Sequence, residues 1–300
     1  MSLSLQPRRF INSEHMGKTT ELSMPFGKND AEIGVKIHYI EEGTGEPLIL
    51  VHSAGQSLYT WSNIIEPLSA KFRVIALDLL GHGYSDVPQY CNFDIAEQAE
   101  VLSAFMKKLS ISSAHFVGFS LGCAIIAKLA MEHPTKVGRT IMLSPGGITP
   151  LMPSLVRMLS SRFLGAVASA FITKKAVTGI LSECFLDLTK VDSSKIEQYF
   201  KPLDDPDTKR GTRYLVSSFD EDEFMKALAS IESPILLLLA ADDKWRTAEY
   251  IQPYFDILKN GSSDVVRNAG HLMQEDQPGK VVDSVITFIN PITAEEKEND

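Results

Sequence analysis

Ser120 stands between two glycines in Gly118-Phe119-Ser120-Leu121-Gly122, after a short apolar run and before an Ala/Ile-rich helical stretch. In that setting a G-x-S-x-G segment places a serine on a sharp strand-to-helix turn with its hydroxyl exposed. Side chains two positions to either side would crowd the turn, which accounts for Gly118 and Gly122. A helix opening directly after Ser120 aims free N–H groups and its positive end at any carbonyl the hydroxyl attacks. The chemistry indicated is nucleophilic attack through a covalent intermediate. A serine hydroxyl is a poor nucleophile at neutral pH, so a base must stand beside it.

Seven histidines are available, of which His133 and His271 lie C-terminal to Ser120, and an elbow of this kind is followed along the chain by an acid and then the histidine. His133, in Glu132-His133-Pro134, falls at a helix end and reads as a surface or helix-terminus residue. His271, in Asn268-Ala269-Gly270-His271, follows the last strand and is the expected general base. The acid should leave a strand end between Ser120 and His271. Asp242 and Asp243 do so at once after the apolar run 235–241, with Asp243 preferred, whereas the strand before Ser144-Pro145 ends without a carboxylate.

These groups need a sheet to bring them together. Apolar runs at 47–51, 73–77, 140–143 and 235–239 read as strands buried on both faces, with further strands at 35–41, 115–117 and 264–267. Helical patterns fall at 61–68, 94–109, 123–131 and 281–289. Strands alternating with helices specify an α/β fold, a mostly parallel central sheet flanked by helices. Its strand ends on one edge would carry the site. Residues 146–231 break this rhythm with consecutive helices and no convincing strand, as expected of a helical lid inserted over the sheet. The core is then 30–145 with 232–290. Residues 1–29 read as a loosely ordered, flexible segment and 291–300 as a charged tail.

With these residues in view, the chain resembles the α/β-hydrolase superfamily, in its lid-bearing serine hydrolase branch. The likeness runs from about Val35 to Ile289 and rests on five ordered segments. They are Val51-His52-Ser53-Ala54-Gly55, the run from Asp78 through Gly81-His82-Gly83 to Asp86, the Ser120 elbow, Ala240-Ala241-Asp242-Asp243, and Gly270-His271. The resemblance implies that the acid is Asp243, and an oxyanion hole formed by the N–H groups of Leu121 and Ala54. His52 reads as bracing the oxyanion loop by hydrogen bonding, and Ser53, Phe119, Trp245, Met152 and Leu155 read as candidate pocket residues. Three positions depart from the family pattern: Ser53, Cys123 and Ala240 replace its glycines. Ser53 is either a neutral substitution or an extra donor, and Cys123 is expected to pack as a small hydrophobe. A serine at the elbow argues against the branch that uses an aspartate nucleophile. Within the serine branch the fold also hosts C–C bond hydrolases, cofactor-free peroxidases, lyases and acyltransferases, and a receptor could keep the same triad.

Composition narrows the remaining classes. The 300 residues carry 29 Lys+Arg against 38 Asp+Glu, a net charge of −9, a poor match through charge for nucleic acid or an anionic membrane, and neither nucleic acid nor a membrane is expected as a partner. Three cysteines without a C-x-x-C pair form neither a disulfide framework nor a zinc knuckle. The expected chemistry requires no metal and no cofactor. No apolar leader marks the first thirty residues, and the longest apolar run, 235–241, is too short to span a bilayer. The expectation is a soluble cytoplasmic protein acting on a small-molecule substrate, with its oligomeric state open.

Overall fold

A computed structural model describes residues 17–26, 28–161 and 163–290. The expected charged tail, 291–300, and residues 1–16 of the expected flexible segment lie outside these. Among the described residues eight strands form one sheet: β1 (Lys18–Met24), β2 (Ile33–Glu42), β3 (Pro47–Val51), β4 (Arg73–Leu77), β5 (Ala114–Phe119), β6 (Val137–Leu143), β7 (Ile235–Ala240) and β8 (Gly261–Val266). Their order is β1-β2-β4-β3-β5-β6-β7-β8. The two pairs that involve β2 are antiparallel, and β3 to β8 run parallel. Leu48 to Val51 and Val74 to Leu77 are buried on both faces of the sheet, as their unbroken apolar runs require.

Helices cover both faces. α1 (Ile65–Ser69) and, near the chain end, α12 (Pro278–Ile289) pack on one. α2 (Ile95–Lys108) and α3 (Leu121–Glu132) pack on the other, with α10 (Ala248–Asp256) joining their apolar cluster. The helix expected at 61–68 is instead a 3-10 turn at Leu58–Trp61 followed by the short α1. Pro67 has no N–H to donate and is accommodated only in a first helical turn, so the helix starts just before it. The segment before Asn29 is also corrected. Lys18–Met24 is a strand, paired antiparallel to β2 with Leu22 and Met24 buried, rather than a loose segment. Burial of those two side chains and a seven-residue ladder order this stretch.

Between β6 and β7 the chain forms α4 (Ser154–Leu159), α5 (Gly165–Ala170), α6 (Lys174–Cys184), α7 (Ser193–Leu203), α8 (Pro206–Ser217) and α9 (Glu221–Ser230). Thr173, Asp192, Asp205 and Asp220 cap α6 to α9 by accepting first-turn N–H groups, which explains where those helices begin. A last short helix, α11 (Met273–Asp276), follows His271.

Candidate active site

The parallel strands deliver their C-terminal ends to one edge, and the chemistry-bearing residues leave from that edge. Ser120 follows β5 with φ 50° and ψ −116°, the strained backbone expected of a serine on such a turn. Its N–H donates to Leu143 O at 3.0 Å, tying the turn to the neighbouring strand. The flanking glycines are needed for close approach. A Cβ on Gly122 would lie 2.3 Å from Val51 O, and one on Gly118 2.6 Å from Ile126 Cδ1. Cys123, one turn on, is fully buried, and burial pushes its thiol well above the ordinary range. It serves as packing.

His271 and Asp243 meet at this edge. Asp243 Oδ2 accepts from His271 Nδ1 at 2.7 Å and from Ser144 Oγ at 2.8 Å. Asp243 Oδ1 accepts the N–H groups of Trp245 and Arg246 at 2.8 and 3.0 Å. Burial alone would raise this carboxyl. The facing His271 and the converging donors outweigh it and hold the Asp243 carboxyl below its usual range. The imidazole of His271 packs against two rings, with centroids 4.8 Å from Phe119 and 4.9 Å from Trp245. Asp242 is exposed and makes no part of this pair.

The loop after β3 is fixed by a neutral histidine. His52 is fully buried, which pushes its imidazole down. Its Nε2 accepts from Leu79 N at 3.0 Å, so Nδ1 carries the proton and donates to Ser53 O at 2.7 Å. Ser53 in turn uses its hydroxyl oxygen to accept from Leu121 N at 3.3 Å. Behind this loop, Asp78 accepts from the N–H groups of Leu58 and Tyr84 at 2.7 and 2.9 Å, closing the 78–86 turn onto it.

Ser120, His271, Ala54 and Leu121 all line one cavity of about 140 Å³, together with Ser53, Phe119, Met152, Leu155 and Trp245. The rest of the lining comes largely from α4, α6 and α7, with aliphatic residues such as Val156, Ile180 and Leu203. Apart from His271, the described lining contains no acidic or basic side chain.

A family model for the alpha/beta hydrolase fold matches residues 46–278. The chain belongs to this family. Among its relatives, an uncharacterized protein of Mycobacterium tuberculosis is 35% identical over 130 residues, covering 43% of this chain; this chain spans only 38% of that protein's length. A carboxylesterase of Bacillus subtilis is 26% identical over 258 residues, covering 85% of this chain and 84% of its own. A solved 2-hydroxy-6-oxo-6-phenylhexa-2,4-dienoate hydrolase from Rhodococcus superposes with a TM-score of 0.73 at 19% identity, over 91% of this chain and 99% of its own.

Two residues at this α/β-hydrolase edge were not singled out from the sequence as parts of the site. Ser144 occupies the strand end judged empty for want of a carboxylate, and its hydroxyl supports the carboxylate arriving from the next strand. Arg246 is buried and donates to the carbonyls of Pro145, Gly147 and Trp245, pinning the start of the helical insertion to the Asp243 loop. The His271 loop is tied to the same insertion. Asp276 Oδ2 accepts from both Gly270 N and Leu186 N at 2.8 Å, and Leu272 N donates to Cys184 O at 3.2 Å. Most of these partners, such as Ser144 with Asp243 and Leu186 with Asp276, are remote in the chain, so no local pattern signals them.

Proposed function

We propose that this chain is a serine hydrolase of small, fairly apolar carboxylic esters or thioesters, with α4 to α9 as the lid of its pocket. The observation that carries the reading is the buried Asp243–His271 pair opening, with Ser120, onto one apolar cavity. Ser120 attacks the substrate carbonyl as His271 Nε2 takes its proton. Asp243 holds the Nδ1–H tautomer and stabilises the imidazolium. The N–H groups of Leu121 and Ala54 receive the oxyanion, each such donor contributing about 2.7–4 kcal/mol to the transition state. His271 then returns its proton to the leaving group and activates water against the acyl-enzyme.

Size and lining argue for the substrate class. Apolar cavities of about 150 Å³ accommodate a benzene-sized group, close to the 140 Å³ here. That favours short aliphatic or aryl acyl groups. A dienoate, the substrate class in the Rhodococcus hydrolase's name, brings a carboxylate, and the described lining supplies no cation to meet it. This supports ester over C–C bond cleavage.

The test is hydrolysis of a p-nitrophenyl acyl series by wild type and Ser120→Ala. Butyrate and benzoate should turn over faster than palmitate or a succinate monoester, and Ser120→Ala should abolish turnover while keeping the same Tm. Near-normal activity in that variant, or preference for the charged acyl group, would overturn the proposal.

A further inference from the structure

The start of the helical insertion is apolar on two opposite faces. Met152, Leu155, Leu159 and Ile172 turn inward and line the cavity. On the outside, Phe163, Leu164, Val167 and Phe171 are exposed, Phe163 to 92% and Phe171 to 62%. The outward set belongs to α5 and its ends, with Val167 inside the helix and Leu164 and Phe171 at its two caps. An apolar face of this kind is stable when it is covered. α4 and α5 have six residues each and no side-chain N-cap, unlike α6 to α9.

Charge says what covers them. The whole chain is acidic at −9, yet residues 146–182 contain Arg157, Arg162, Lys174 and Lys175 and not one Asp or Glu. Arg157 and Lys175 are exposed and flank the apolar stretch in the chain, while Lys174 pairs with Glu197. A symmetric dimer through this surface would bring the segment against itself, with no acidic residue among 146–182 to meet Arg157 or Lys175. An anionic lipid surface pairs with them and takes aromatic and aliphatic side chains into the boundary between headgroups and acyl chains. The acidic remainder of the protein opposes this little, because exposed charges are screened beyond about 8 Å at physiological salt.

We infer that the outer face of residues 146–182 docks on anionic lipid bilayers. Phe163, Leu164, Val167 and Phe171 enter the interface, and Arg157 and Lys175 lie on the headgroups. The inference is independent of the hydrolase reading, since it concerns binding and not turnover.

Flotation with vesicles tests it, using the full chain with pure phosphatidylcholine and with mixed phosphatidylcholine–phosphatidylglycerol vesicles. Wild type should float with the mixed vesicles and stay behind with the neutral ones, and added salt should release it. The pair Phe163→Gln and Phe171→Gln should weaken binding at least about tenfold. Lys175→Ala should weaken it about fivefold. Unchanged circular dichroism establishes that each variant is folded, and Lys175→Ala, a surface change, carries the test if the Phe pair misfolds. Absence of wild-type flotation with the mixed vesicles would overturn the inference, as would flotation indifferent to these substitutions. A wild-type dimer in sedimentation that the Phe substitutions dissolve would overturn it in favour of a second copy.

Discussion

Replacing Asp243 by Asn keeps the shape of the side chain and removes two of its acceptor sites. In the native site four donors converge on two carboxylate oxygens: His271 Nδ1 and Ser144 Oγ on Oδ2, the N–H groups of Trp245 and Arg246 on Oδ1. An amide has one oxygen and one NH₂. The backbone N–H groups cannot turn, so the amide oxygen faces them and the NH₂ faces His271. The imidazole must then present a lone pair at Nδ1 and carry its proton at Nε2, the atom that accepts from Ser120 in the proposed mechanism. The expected loss in kcat is about 10⁴-fold, as when a triad aspartate elsewhere is changed to Asn. At 1.36 kcal/mol per decade that is about 5.4 kcal/mol of transition-state stabilisation.

Stability should respond to pH in a defined sense. The Asp243 carboxyl is held below its ordinary value, so its ionised form stabilises the fold above the unfolded pKa of about 3.9, and this contribution fades as pH falls through the lower folded value. The Tm gap between wild type and Asp243→Asn should therefore be full at neutral pH and shrink below about pH 4. Steady-state kinetics on p-nitrophenyl butyrate and thermal melts across pH measure both effects. Exposed Asp242, changed to Asn, should leave kcat within about twofold. A kcat for Asp243→Asn within tenfold of wild type, or a defect confined to KM, would show that Asp243 does not set the tautomer of His271.

Other substitutions probe the neighbouring parts. Ser144→Ala removes one buried, charge-assisted hydrogen bond to Asp243 and should cost about 1.5–3 kcal/mol of stability at neutral pH, read from chemical denaturation. An unchanged midpoint would mean that the hydroxyl does not support the carboxylate. Ser53→Ala removes the acceptor that occupies Leu121 N–H, so kcat/KM should rise about twofold to tenfold, the reach of one ordinary hydrogen bond; a fall would make the hydroxyl a donor to the oxyanion. Gly122→Ala would drive a Cβ to 2.3 Å from the Val51 carbonyl and should destabilise by about 1–3 kcal/mol or more, with lost activity. A normal Tm for that variant would show that the elbow does not need close approach there.

Much of the sheet, and which loops meet at its edge, could be read from residues alone, for a physical reason. Strands buried on both faces, such as β3 and β7, appear as unbroken apolar runs, and a strained turn under close backbone approach demands glycines at set positions. The edges were harder. β1 turns only Leu22 and Met24 inward, and β8, Gly261–Val266, is exposed along most of its length, so neither produces a strong pattern. Ser144 lies 99 residues from the carboxylate it supports and Arg246 lies 101 from Pro145, beyond any local signal. The insertion posed another difficulty. Its helices were legible, but Leu155 and Phe163 are equally apolar, and only packing tells that one lines the cavity while the other faces outward.

The most direct measurement is peptide mapping by mass spectrometry after brief exposure of the intact chain to a fluorophosphonate. One phosphonyl adduct is expected, on Ser120, with labelling slowed at least about a thousandfold in His271→Ala because the proposed nucleophile loses its base. An adduct on another residue, or equally fast labelling without His271, would contradict the proposed triad.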